Sequence, residues 1–131
     1  MAETNRIAPR RRDAERRGRR SETIAALLLS CKFYRILGMR QRTRLGEIDI
    51  VARAPSGTIC FIEVKARADF VQAAESVLPR QRARIARAAE TFLAARPWLV
   101  NAPVRFDIVT ISPRTWPRHI RGAWRPDDVG L

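Results

Sequence analysis

Lysine is almost missing from this basic chain: of 26 basic residues, only Lys32 and Lys65 are lysines. Histidine occurs once, at His119, which excludes His-rich metal centres and catalysis by a histidine pair. Cysteine occurs twice, as Cys31 and Cys60, isolated and without metal-ligand spacing. This usage fits a protein of the reducing cytosol in which both thiols serve as small buried hydrophobes. No apolar stretch of a signal peptide follows the first arginines, and the run 24–29 is too short to span a bilayer. A cytoplasmic location without a membrane partner is therefore expected. The sequence also lacks internal repeats, coiled-coil heptads and a glycine-rich phosphate loop.

What is present is charge. Against 26 basic residues stand 13 acidic ones, a net charge of +13 on 131 residues. Such a field favours a polyanion, most simply nucleic acid. The length suits one domain with a single hydrophobic core, and 46% hydrophobic content fits a globular protein. The dominance of arginine makes Lys65, inside an apolar segment, stand out. Arginine is a rigid fork, whereas lysine is a compact point charge able to orient one water or one phosphate oxygen.

Two segments hold the chemistry: Gly46-Glu47-Ile48-Asp49-Ile50 and Phe61-Ile62-Glu63-Val64-Lys65. In a strand, residues i and i+2 share a face, so Glu47 pairs with Asp49 and Glu63 with Lys65. Ile48, Ile50, Ile62 and Val64 are apolar and suit the opposite, core-facing side. If the strands are neighbours, two carboxylates and one ammonium meet, the makings of a hard-cation site.

Along the chain, residues 1–13 read as a basic disordered arm, with Arg16 and Arg17 continuing its charge into a helix over 14–30, either as phosphate-contacting residues of a nucleic-acid-binding arm or as a solvated tail. Glu22 sits one turn before Ala26, near the buried side; it is either a solvent-edge residue or part of a site. Strands are expected over 33–42, 45–53 and 58–67, the last two as an antiparallel hairpin turning at Pro55-Ser56-Gly57. A helix follows from Val77 or Pro79 to Arg96, since Pro79 suits a first-turn position and Pro97 ends the pattern. Ile85, Ala88, Ala89, Phe92 and Leu93 form its apolar stripe, with Arg80, Arg82, Arg84 and Arg87 outward and Gln81 at the sheet end. A strand over 104–111 follows, most simply parallel to the third, and 120–124 makes a short edge strand. Residues 14–125 thus form the domain and 126–131 a tail. The order α-β-β-β-α-β gives a mixed β-sheet flanked by helices, an α/β fold. Asp107 is expected in a structural ion pair with Arg105 or another arginine. Trp98, after a helix-ending proline, is expected to pack; Trp116 and Trp124 are open to packing or base stacking.

Asp49 followed by Glu63-Val64-Lys65 matches the Asp…Glu-X-Lys signature of the PD-(D/E)XK nuclease superfamily. The strings GEIDIVAR and FIEVKAR, the helix around Ser21-Glu22-Thr23-Ile24-Ala25, and Arg105-Phe106-Asp107-Ile108-Val109 together resemble the YraN-like family of small bacterial proteins. The resemblance covers roughly residues 15–125 and implies a restriction-endonuclease-like core. It also implies that Asp49, Glu63 and the Val64 carbonyl ligate Mg²⁺ or Mn²⁺ and that Lys65 handles the attacking water. Glu22 looks like the additional acid that some superfamily members use. Relatives commonly carry a lysine where this chain has Gln81, so Arg80, Arg82 and Arg84 are candidates to share the phosphate contacts.

Three functions follow for weighing. The first is a metal-dependent endonuclease on DNA, with structure-specific action on branched or damaged DNA as its narrower form and a homodimer expected by analogy with two-strand cutters. The second is a nucleic-acid-binding module that keeps the fold without turnover. The third, a basic structural or ribosome-associated protein on RNA, predicts no focused carboxylates, because acids beside phosphates repel unless a cation bridges them.

Overall fold

The computed structural model describes residues 4–66 and 79–126, with side chains from residue 18 onward. Helix α1 (Thr4–Cys31) leads into strands β1 (Arg35–Arg42), β2 (Glu47–Arg53) and β3 (Ile59–Lys65). Helix α2 (Pro79–Ala94) and a 3-10 turn (Pro97–Leu99) precede β4 (Val104–Ser112) and β5 (Thr115–Trp124). The five strands form one sheet in the order β1-β2-β3-β4-β5. Neighbours are antiparallel except β3 and β4, which run parallel on either side of the α2 connection. The mixed sheet flanked by helices is thus as the sequence predicts.

Several boundaries differ. α1 begins at Thr4 and occupies most of the segment assigned to a disordered arm; arginine, alanine and glutamate all favour the helix. The side chains of Arg16 and Arg17 lie outside the described residues, as do Val77, Arg67 and residues 127–131. The last strand starts at Thr115 rather than at 120, so β4 and β5 form a long hairpin.

The first strand starts two residues later than expected because α1 is closed by a Schellman motif. Tyr34 N–H donates to the Leu29 carbonyl at 2.9 Å and Phe33 N–H to the Ser30 carbonyl at 3.0 Å. Leu29 and Tyr34 then meet in the same buried cluster. This motif places Phe33 in the left-handed region, with φ of 67°, where glycine is usual and a Cβ costs roughly 1–2 kcal/mol. Phe33 is also 85% exposed, so its ring contributes little packing. Phe33→Gly is therefore expected to stabilise the fold by about 1 kcal/mol and raise the melting midpoint by roughly 3–5 °C. A thermal melt followed by circular dichroism checks this; a lower midpoint would contradict it.

Both faces of the sheet are buried. Ile59, Phe61, Phe106 and Ile108 pack against Ile85 and Phe92 of α2. Ile50, Cys60, Ile62 and Val109 pack against Ala25 and Leu29 of α1. The run Ile59-Cys60-Phe61-Ile62 is accordingly buried throughout, as expected of a central strand covered on both sides. The one-sided burial read from sequence is thus corrected: the face shared by Glu63 and Lys65 is apolar through Phe61 and becomes charged only at the strand's end. Ile48 and Ile50 also divide, the first joining the α2 cluster and the second the α1 cluster.

Asp107 is fully buried on β4 and is structural. Arg105 grips both carboxylate oxygens at 2.8 and 2.9 Å and also donates to the Tyr34 hydroxyl. His119 Nε2 and Gly122 N–H donate to the same carboxylate at 2.7 and 2.9 Å. Lys32 Nζ lies 2.8 Å from His119 Nδ1, which fixes the ring as the Nε2–H tautomer. Burial pushes the Asp107 carboxyl up, but these hydrogen bonds outweigh it and hold the group below the usual carboxylate range. Desolvation, with Arg121 nearby, lowers the Lys32 ammonium.

The cysteines are both unpaired, but only Cys60 is buried, its thiol pushed up to about 11 chiefly by that burial. Cys31 is exposed, a correction that follows from its place at the last turn of α1. Trp98 is likewise 76% exposed instead of packed, because the 3-10 turn buries Leu99. Trp124 is buried and stacks on Phe106, with ring centroids 4.2 Å apart.

Candidate active site

The β2–β3 register pairs Ile50 with Ile62, so the next residues along, Asp49 and Glu63, adjoin across the two strands. Asp49 Oδ2 accepts the Val64 N–H at 2.9 Å. The side chain thus takes the place of a ladder carbonyl and ends the pairing at this point. A strand residue offers its N–H and C=O to the same neighbour, so the Val64 carbonyl opens toward the Asp49 side as well.

Glu63 completes the pair. Its Oε1 accepts from Gln81 Nε2 at 3.1 Å and lies 3.9 Å from Lys65 Nζ. Pro79 starts α2 two residues before Gln81, which aims that amide at the sheet end, as its place on the stripe predicts. Glu63 and Lys65 side chains are only 12% and 19% exposed. The ammonium is therefore held against the carboxylate instead of moving freely in water.

Electrostatics mark the pair. Burial raises the Glu63 carboxyl to about 8, with the Asp49 charge adding to it and Lys65 opposing. Burial raises Asp49 to about 6 against the Val64 hydrogen bond, with Glu22 pushing further up. The Glu63 carboxyl, when protonated, donates to the Asp49 carboxylate, which raises the first and lowers the second. Near neutral pH the two thus hold about one proton between them. A divalent cation would replace that proton, and its affinity should rise with pH as both groups ionise.

Asp49 and Glu63 line a cleft of about 410 Å³ together with Glu22, Gly46, Glu47, Gln81, Arg84 and Ile85. Among the described residues, no group of three or more His, Cys, Asp or Glu side chains is placed to hold a metal ion. Two carboxylates and a carbonyl nonetheless suit Mg²⁺, which keeps several waters and commonly uses only one or two protein carboxylates. Mn²⁺ accepts the same hard oxygen donors.

Glu22 is brought to this cleft by the last third of α1, with its side chain 14% exposed. It is bound by Arg40, whose Nε lies 2.5 Å from Glu22 Oε2. Sequence reasoning missed Arg40. It lies on β1 between Met39, paired with Ile50, and Gln41, paired with Ile48, hence beside Asp49. Its φ of 51° is left-handed for a non-glycine residue, a strained conformation of the kind that persists where surroundings fix it. From the β1–β2 turn the register runs unbroken through Arg42–Glu47, Gln41–Ile48 and Met39–Ile50, so a count back from that turn sets Arg40 opposite Asp49; pairing only the second and third strands from sequence does not reach it.

Glu47 stands at the rim, 42% exposed and 3.7 Å from Arg42. The turn before it is closed by Thr43, whose hydroxyl accepts from the Leu45 and Gly46 N–H groups, each at 3.1 Å. A Cβ on Gly46 would come within 3.1 Å of the Arg84 carbonyl on α2, so glycine is what lets this turn seat against the helix. Of the helix arginines, Arg80, Arg84 and Arg87 are exposed, as expected. Arg82 departs from the expected outward face: it is half-buried, its guanidinium 6.0 Å from the Trp124 ring centroid, because the edge strand presents an aromatic surface there.

Residues 21–111, spanning α1, the cleft and β4, match the model of an uncharacterised protein family, UPF0102. The chain belongs to the UPF0102 family. This is the YraN-like family that the motifs resemble. The chain is 49% identical over 118 residues to the UPF0102 protein Mmar10_3014 of Maricaulis maris, covering 90% of this chain and 92% of the relative. It is 48% identical over 113 residues to a UPF0102 protein of Parvibaculum lavamentivorans, covering 86% and 84% respectively. The UPF0102 protein amb4503 of Paramagnetospirillum magneticum is 49% identical over 118 residues, covering 87% of this chain. Among the described residues, no helix of this UPF0102 member is long and apolar enough to cross a membrane.

Proposed function

We propose that this protein is a cytoplasmic, divalent-metal-dependent endonuclease that hydrolyses phosphodiester bonds in DNA. The observation that carries the reading is the half-buried, adjoining Asp49–Glu63 pair in a chain of net charge +13. A protein that binds phosphates by arginine gains nothing from buried acids beside them unless a cation bridges the two. Asp49, Glu63 and the Val64 carbonyl would hold Mg²⁺ or Mn²⁺. The ion, when bound, activates water and offsets charge building on the phosphate. Val64 N–H fixes the Asp49 carboxylate, and Gln81 fixes that of Glu63. Lys65 is placed to orient a nucleophilic water beside Glu63 and to take up phosphate charge. Arg40 holds Glu22 at the edge of the cleft, where that acid positions further water. Exposed Arg80 and Arg84 supply phosphate contacts on the α2 side.

Incubation with supercoiled plasmid, single-stranded DNA and a four-way junction tests this reading. Cleavage is expected in Mg²⁺ or Mn²⁺ and none in chelator. Intact binding with no cut on any substrate would overturn it in favour of a binding module without turnover.

A further inference from the structure

The same end of the sheet carries an element that the carboxyl pair does not use. β3 and β4 run parallel with Lys65 opposite Thr110, so the β4–β5 hairpin emerges beside Lys65. It closes through the Ser112–Thr115 pair, and at ~3.3 Å per residue its turn stands on the order of 10 Å beyond Lys65. Trp116 sits on this hairpin and is 89% exposed, more than any other large hydrophobic side chain among the described residues. Arg114 and Arg118 beside it are exposed cations. Across the cleft, the β1–β2 turn presents exposed Arg42 and Arg44.

An indole in water contributes no packing to the fold. Flanked by arginines, it matches the platforms on which single strands lie, where a base stacks on the ring and cations follow the backbone. A paired duplex keeps its base faces inside the stack, so only an unpaired or extruded nucleotide offers one. The other tryptophans provide contrast. Trp124 is buried, and Trp98 is exposed on the 3-10 turn that leads into the start of β4, the end of that strand away from Lys65.

We propose that the β4–β5 hairpin is a nucleotide-stacking element of the DNA site. Trp116 receives the face of one unpaired base, and Arg114 and Arg118 contact its flanking phosphates. The substrate is thereby DNA with single-stranded character next to the cleft, as at a flap or a junction arm. The proposal deepens the nuclease reading and rests on it for the identity of the cleft, but its test needs no turnover.

Fluorescence anisotropy in chelator, with labelled oligothymidine, a flapped duplex and a blunt duplex, provides that test. Trp116→Ala is expected to weaken oligothymidine and flap binding about tenfold and blunt-duplex binding less than twofold. Trp116→Phe should retain most of the affinity, and Trp98→Ala should match the wild type. Equal oligothymidine binding by Trp116→Ala and wild type would overturn the proposal, as would an equal loss on blunt duplex. Trp116-dependent binding without cleavage in either metal would leave stacking standing and remove the nuclease reading. Metal-dependent cutting with wild-type binding by Trp116→Ala would do the reverse.

Discussion

Asp49→Ala is expected to lower the rate of DNA cleavage in saturating Mn²⁺ by about a thousandfold or more, since it would remove a ligand of the proposed metal ion, the largest positive charge facing the phosphorane. Lys65→Ala should cost about 10²–10⁴-fold, the usual worth of a positioned proton-transfer or charge-offsetting group. Their combination should cost little more than the worse single change, because the groups act as one unit. Misfolding is separable from this loss. Asp49→Asn keeps an oxygen to accept the Val64 N–H and removes a half-buried acid that faces Glu63 and Glu22, so its melting midpoint should equal or exceed that of the wild type. Plasmid nicking and thermal melts on the same preparations give both readings. Cleavage by Asp49→Ala within tenfold of wild type would contradict the assignment.

The second large effect concerns stability alone. Asp107→Ala should cost about 3–5 kcal/mol, because it strands partners that are buried with it. His119 is 2% exposed at its side chain and would lose its carboxylate, as would Arg105 and the Gly122 N–H. For a chain of this size that loss lowers the melting midpoint by roughly 10–20 °C. The Asp107 network lies on the α1 side with Tyr34 and Val109, whereas Gln81 approaches Glu63 from α2. Per folded molecule, cleavage by the variant should therefore stay near wild type. A loss below 1 kcal/mol would show the network to be dispensable.

The site was more legible than the rest because its members are close in sequence. A strand's two-residue period places Asp49 and Glu63 correctly once the hairpin is recognised, and the five-residue connection between Arg53 and Ile59 sets that hairpin. Pro79 likewise fixes the start of α2, and with it the aim of Gln81. Contacts made at long range were not legible. Lys32 and His119 are 87 positions apart and meet only because β5 returns beside β4. Arg40 was missed because only β2 and β3 were paired from the sequence, and it is the β1–β2 pairing that sets Arg40 opposite Asp49. The start of β1 was placed two residues early because a phenylalanine occupies the left-handed position where glycine is the usual signal. Periodicity gave the wrong burial for β3 because a central strand is covered on both faces, so its apolar run carries no alternation to read.

The central claim is that Asp49 and Glu63 form one divalent-cation site. Calorimetric titration of Mn²⁺ into the protein, repeated in buffers of different ionisation enthalpy and at two pH values, tests it most directly. With Glu63 raised to about 8 and Asp49 to about 6, the ion must displace protons. Binding should release about one proton near pH 7 and weaken by an order of magnitude or more at pH 5.5. Glu63→Gln and Asp49→Asn should each abolish it. Mn²⁺ binding that is equally tight at both pH values, or that persists in both variants, would contradict the account.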